Sequence, residues 1–178
     1  TNNYGPLLEN MVTLELNNKE QLESYLGDNH KQVAAIIIEP IQGESGINIP
    51  DNTFITLLSK LCVDYNILFI ADEIQTGLGR TGKLLASEHF GIRPDIVLLA
   101  KSLGGGVYPV SAVLADNHIL ECIKPGEHGS TFGGNPLACA VAIESINVIL
   151  NEGLILNSEK RGEQFINGLL KLKDKFSF

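Results

Sequence analysis

A lysine directly follows the apolar run at residues 95–100 (DIVLLA), and a glycine-rich stretch follows the lysine: Lys101, Ser102, Leu103, Gly104, Gly105, Gly106. An ammonium at the end of a buried strand is costly to desolvate. Such a lysine either snorkels at the surface or is an amine of lowered pKa suited to Schiff-base chemistry. The glycines leave room for a bulky ligand close to the backbone. Asp72 ends a second apolar run, residues 67–72 (ILFIAD). A carboxylate set against a ring nitrogen keeps that nitrogen protonated, and a protonated pyridine withdraws electrons as pyridoxal phosphate (PLP) must. Gln75 follows three residues later and has an amide to offer a ring hydroxyl or phenolate. Ser130 and Thr131, among Gly129, Gly133 and Gly134, have a phosphate-binding composition, although alone they read only as a loop.

Two other chemistries fit parts of this pattern. Asp72-Glu73 at a strand end resembles a Walker B element, and residues 77–83 (GLGRTGK) match G-x-x-x-x-G-K. Leu84, however, stands where a hydroxyl should bind Mg²⁺. The glycines also follow a carboxylate-ended strand, whereas a P-loop precedes its Asp. Residues 43–46 (GESG) begin like a nucleophile elbow, but Ile47 replaces the second glycine of G-x-S-x-G. His30, His89, His118 and His128 lack metal-ligand spacing, so no metal site is expected. The first three read as surface or loop residues, and His128 as a shaper of the glycine-rich loop at 126–134.

Continuous aliphatic runs at 33–39 (VAAIIIE), 67–72 and 95–100 predict strands buried on both faces, with 111–115 (SAVLA) as a fourth. Helical spacing spans 52–65, placing Phe54, Ile55, Leu57, Leu58, Leu61 and Cys62 on one stripe with Asp51 or Asn52 as cap. A second helix spans 136–151, with Asn135 as N-cap, Pro136 at its first position and a stop near Gly153. A last helix is expected from about 158 to 173, with Lys160, Arg161 and Lys171 on a solvated face, and a short one at 19–26. Alternating strands and helices predict an α/β fold with a mostly parallel sheet and helices on both sides. Ligands bind such sheets at the carboxyl ends of strands. That rule selects residues 39–46, 72–82 and 101–106.

The chain has 178 residues, 13 Lys+Arg and 21 Asp+Glu, for a net charge of −8; 44% of residues are hydrophobic and 19% charged. This length suits one sizeable domain or two cramped ones. The acidic balance argues against broad nucleic-acid binding and against docking on anionic membranes. No apolar run approaches the ~20 residues that cross a bilayer. Cys62, Cys122 and Cys139 form no C-x-x-C pair. They read as three buried, reduced thiols of an intracellular protein. The chain begins at Thr1 without a signal peptide, and both ends read as cut.

Five blocks carry a family resemblance: 39–46 (EPIQGESG), 69–82 (FIADEIQTGLGRTG), 93–106 (RPDIVLLAKSLGGG), 107–114 (VYPVSAVL) and 124–137 (KPGEHGSTFGGNPL). Together and in order they resemble the class III PLP-dependent aminotransferases of fold type I, over nearly the whole chain and most weakly before Val33. The resemblance implies that Lys101 holds PLP as a Schiff base and later shuttles a proton between substrate carbon and cofactor. It implies that Asp72 pairs with the pyridinium nitrogen, Ile74 packs on a ring face and Gln75 contacts the 3′-oxygen. Thr131, with Ser130, would bind the cofactor phosphate of the neighbouring subunit, placing the active site at a homodimer interface. Glu39 would lie near the substrate, and Glu44 would be a gate carboxylate paired with an arginine, a two-state ion pair that lets one pocket accept two differently charged substrates.

The step at Tyr108, Pro109, Val110 and Ser111 and the approach at 124–127 point to family members that move the δ-amino group of L-ornithine to 2-oxoglutarate. Acetylornithine and 4-aminobutyrate are the alternative amines, and a non-catalytic dimerisation fragment is the alternative class. Residues 1–152 are expected to be the central part of the PLP-binding large domain, and 153–178 a helix leading towards a C-terminal small domain. The family's glycine-rich phosphate loop and ring-stacking aromatic would precede Thr1, and the gate arginine would follow Phe178. The 178 residues alone are therefore expected to lack efficient catalysis. The expected compartment is the cytoplasm, with the mitochondrial matrix as the alternative.

Overall fold

The four apolar runs form four adjacent strands in a computed structural model that describes Gly5, Pro6 and residues 8–176. The strands are β1 (Ala35–Ile38), β2 (Leu68–Asp72), β3 (Ile96–Leu99) and β4 (Ala112–Ala115). The helices are α1 (Lys19–Asn29), α2 (Asn52–Tyr65), α3 (Asn117–Leu120), α4 (Pro136–Asn151) and α5 (Leu154–Lys175). Short 3₁₀ turns occur at His30–Gln32, Ala86–Phe90 and Lys101–Gly104. The sheet order is β1-β2-β3-β4. β1, β2 and β3 run parallel and β4 pairs antiparallel to β3, so the sheet is mostly parallel as expected.

The register decides which side chains share a face. Ile38 pairs with Ala71, Ala71 with Val97, and Leu99 with Ala112, so all of these lie on one side. On that side Phe54, Ile55, Leu58 and Cys62 of α2, with Leu22 and Leu26 of α1, pack on Ile36, Ile38 and Phe69. Farther along the same side, Ala142, Ile146 and Ile149 of α4 pack on Leu78, Leu99 and Leu103. The opposite face carries Ile37, Ile70, Asp72, Leu98 and Val113. There Ile37 is 51% exposed and Val113 59%. The expectation of helices on both sides, with strands buried on both faces, is thus corrected: among the described residues both helical clusters cover one face. Strand side chains alternate between faces, and the described helices present apolar stripes to one set only.

Helix boundaries follow local chemistry. Asp51 precedes α2, and its carbonyl accepts from the backbone N–H of Phe54 at 2.9 Å and of Ile55 at 3.1 Å. Asn66, left-handed at φ 54°, ends that helix. Asn135 caps α4 as expected, its Oδ1 accepting from Ala138 N at 2.9 Å. Gly153 at φ 65° turns the chain out of α4. α5 therefore begins at Leu154, earlier than its charge pattern suggests, and bends 62° away from α4. No described helix is long and apolar enough by itself to cross a membrane. The three thiols are free, but only Cys62 is buried, while Cys122 and Cys139 are exposed. Cys122 lies in the loop after α3 and Cys139 on the outer side of α4, where nothing described covers them.

Candidate active site

The parallel pairing of β2 with β3 sets Asp72 opposite Leu98. Lys101 follows three residues later, so both residues stand at the carboxyl ends of adjacent strands. The Asp72 side chain points to the open face of the sheet. Its Oδ1 accepts from Ile74 N at 3.0 Å, while Oδ2 takes no hydrogen bond among the described residues. The turn after β2 brings Gln75 towards Lys101, whose Nζ donates to Gln75 Oε1 at 2.7 Å. Lys101 itself is left-handed, at φ 46°, an uncommon and strained conformation for a side chain of this size.

Glu39 ends the neighbouring strand region, and its Oε2 accepts from Gly43 N at 3.1 Å. Gly43 opens a tight turn closed by Gln42 N to Asn48 O at 3.0 Å and Asn48 N to Gln42 O at 3.2 Å. A Cβ at Gly43 would lie 2.7 Å from Gln75 Nε2, so the missing side chain is what admits the Gln75 amide. Glu39, Gly43, Gln75 and Lys101 therefore form one continuous line of contacts across three strand ends. Glu44 sits on the exposed outside of that turn.

Not every expected site residue joins this line. Ser130 and Thr131 lie in the exposed loop before α4, where Ser130 Oγ accepts from Gly133 N at 2.9 Å. No described contact joins them to Lys101 or Asp72. Among the described residues Lys101 is exposed, in line with the snorkelling alternative rather than the desolvated one. The described residues wall its amine on the Gln75 side and leave it open elsewhere. A cleft of about 650 Å³ lies beside Ser102, Gly105 and Gly106, against Val141 and Val148 of α4, and neither Lys101 nor Asp72 lines it.

Sequence reasoning missed Glu73 and Thr76. Glu73 is 1% exposed, and its Oε2 accepts from Thr76 Oγ1 at 2.5 Å. The available signal was a charged residue directly after a buried strand with a hydroxyl three positions on, the spacing that meets across one turn.

Residues 6–178 match the family described as Aminotransferase class-III, and the chain belongs to that family. Its members are PLP-dependent. The particular proteins it is similar to include the ornithine aminotransferase of Plasmodium falciparum (isolate CDC / Honduras), 48% identical over 174 residues, which are 97% of this chain and 42% of that protein. A structure of the ornithine aminotransferase from Toxoplasma gondii, with partial occupancy of PLP at its active site, superposes with a TM-score of 0.90 at 45% identity, over 99% of this chain and 40% of that one. The acetylornithine aminotransferase of Elizabethkingia anophelis superposes with a TM-score of 0.88 at 50% identity, over 92% of this chain and 41% of that one. The chain spans about 42% of the length of the Plasmodium relative.

Proposed function

We propose that this chain carries the amine-transfer centre of a PLP-dependent ornithine aminotransferase, acting on the δ-amine of L-ornithine with 2-oxoglutarate as acceptor. The observation that carries the reading is the Lys101 Nζ to Gln75 Oε1 bond of 2.7 Å beside Asp72, at the ends of two adjacent parallel strands. The residues fit PLP: an accessible primary amine, a carboxylate with one oxygen free of hydrogen bonds among the described residues, and an amide already at the amine. PLP, when bound, supplies the electron sink that lets a C–H bond next to nitrogen ionise.

Lys101 would attach the aldehyde and, once displaced by the incoming amine, take and return a proton at Nζ. Asp72 would accept from the ring N–H through Oδ2 and hold the ring protonated. Gln75 would turn its amide from Lys101 to the ring oxygen, and Ile74 would pack against the ring. Glu39 and Glu44 would sort the two substrates by charge. Ser130 and Thr131, exposed and away from Lys101, suit a phosphate held for a neighbouring subunit in a homodimer. Residues 1–152 would then be the central part of the large domain and 153–178 the helix leading towards a small domain. α5 supports this division, since beyond Ser158 its described residues are all exposed.

The similarity to an acetylornithine aminotransferase supports that amine as the second reading. Stopped-flow absorbance of the full-length holoenzyme separates the two. The half-reaction is expected to run fastest with L-ornithine, and a faster half-reaction with acetylornithine or 4-aminobutyrate overturns the substrate assignment. Borohydride reduction should fix the cofactor on the peptide containing Lys101; a reducible adduct that survives in Lys101→Ala overturns the lysine assignment. The cytoplasm is the proposed compartment, tested by imaging the tagged full-length protein.

A further inference from the structure

Glu73 is a buried carboxylate with no cation beside it among the described residues. Its Oε2 accepts from Thr76 Oγ1 at 2.5 Å and from Ala86 N at 3.0 Å, and its Oε1 accepts from Ser87 N at 2.8 Å. Its backbone N–H donates to Leu98 O at 3.1 Å, and its carbonyl accepts from Gly77 N at 2.9 Å. One residue thus ties the end of β2 to β3, closes the turn at 73–77 and grips the 3₁₀ turn at Ala86–Phe90. Burying a carboxylate is costly, and a packed apolar side chain would stabilise a core at least as well. The arrangement therefore does something that packing would not.

What it holds is Gln75. That residue lies between Glu73 and Thr76, both of which meet at the same carboxylate oxygen. The turn has no slack, because a Cβ at Gly77 would come within 2.8 Å of Glu73 O. Gln75 lies inside the turn that the Thr76 Oγ1 and Gly77 N bonds to Glu73 close, and its Oε1 accepts from Lys101 Nζ.

We infer that Glu73, through its clamp on Thr76, is a positioning residue for the Gln75–Lys101 pair. It sets the cofactor amine without touching it. The inference rests on the reading of Lys101 as the PLP-binding lysine.

The test uses the full-length protein and its Glu73→Gln, Thr76→Val and Thr76→Ser variants. Three quantities are measured: the dissociation constant for pyridoxal phosphate, the pH midpoint of the bound-cofactor absorbance band, and the melting temperature of the apoprotein. Glu73→Gln turns an amide N–H against a backbone N–H. It is expected to weaken PLP binding about tenfold and to move the pH midpoint by more than about 0.3 units. Thr76→Val, nearly isosteric, is expected to act in the same direction by about threefold. Thr76→Ser restores the hydroxyl and is expected to stay within about twofold of the parent. Lower melting temperatures with an unchanged dissociation constant and pH midpoint would make Glu73 a purely structural clamp and overturn the inference. If Glu73→Gln does not fold, Thr76→Val against Thr76→Ser decides the same question. A parent protein that forms no borohydride-fixed adduct at Lys101 overturns the underlying reading instead, and the inference with it.

Discussion

Lys101 and Gln75 meet only because Gly43, a residue on another strand's turn, leaves space for the amide. Gly43→Ala makes this testable. The added methyl meets the flexible end of Gln75 rather than backbone, so stability is expected to change by less than about 1 kcal/mol. The Gln75 amide must move, however, and full-length Gly43→Ala is expected to bind pyridoxal phosphate severalfold more weakly, about the cost of one hydrogen bond. Unchanged binding would show that the amide does not matter. At the same scale, burial pushes the Cys62 thiol up to about 12, and the Asp95 carboxylate adds to the effect. The folded state then holds a proton that the unfolded chain releases in the ordinary thiol range. Stability is fully present below that range and falls as pH rises towards 12. Denaturation of the parent between pH 8 and 11 should show a slope, on the order of one thiol's titration, that Cys62→Ala lacks. Lys101, Asp72 and Gln75 were legible in the sequence because apolar runs announce the strand ends they occupy. The Glu73–Thr76 contact had a local signal, but the grip of Glu73 on Ala86 and Ser87 had none, because those partners lie beyond a glycine-rich turn of no readable period.

Among the elements, α4 supports the lysine loop from behind. Ser145 Oγ donates to Ser102 O at 2.8 Å, one residue from Lys101. The cap on that helix is therefore expected to matter for the site. Asn135→Ala should cost about 1 kcal/mol in urea denaturation, and a negligible loss would mean that the Asn135 cap bond is dispensable. The antiparallel pair β3 and β4 is closed at one end by Arg93, which donates from both terminal nitrogens to the Asp116 carboxylate, the shortest contact being 2.9 Å. The hydrogen bond and charge of Arg93 hold the Asp116 carboxyl below the usual carboxylate range. The support is present above that range and disappears as pH falls through the lowered value. Both side chains are exposed, so any difference between parent and Arg93→Ala at neutral pH should vanish in about 0.5 M salt. The helix at 52–65 and the cap at Asn135 were readable because each depends on residues within a turn of itself. The antiparallel direction of β4 was not, since an apolar run carries no arrow. It follows from the connection, which holds a 3₁₀ turn instead of the crossover helix a parallel return needs.

At the largest scale, the described residues form a sheet clad on one face. The bare face combines exposed Ile37 and Val113 with Asp72, so the proposed ring-nitrogen partner lies on the side that the described helices leave open. An exposed apolar face of this kind binds hydrophobic dyes. The 178-residue chain by itself is expected to enhance ANS fluorescence, and Ile37→Lys with Val113→Lys is expected to reduce the enhancement with little change in melting temperature. A dye signal unmoved by both substitutions would place the apolar surface elsewhere, along α5 for example, where Phe165 is 68% exposed.

Strand and helix content, the mostly parallel sheet and the place of Lys101 and Asp72 at strand ends were already determined by the order of residues along the chain. Each depends on neighbours a few positions apart, and hydrophobic period and residue type encode such relations directly. Tertiary structure alone decided which face of the sheet is covered, that Gly43 admits Gln75 to Lys101, and that Glu73 is the anchor beneath them. Those outcomes depend on strand register and on contacts between segments far apart in sequence, and no local pattern specifies such distances.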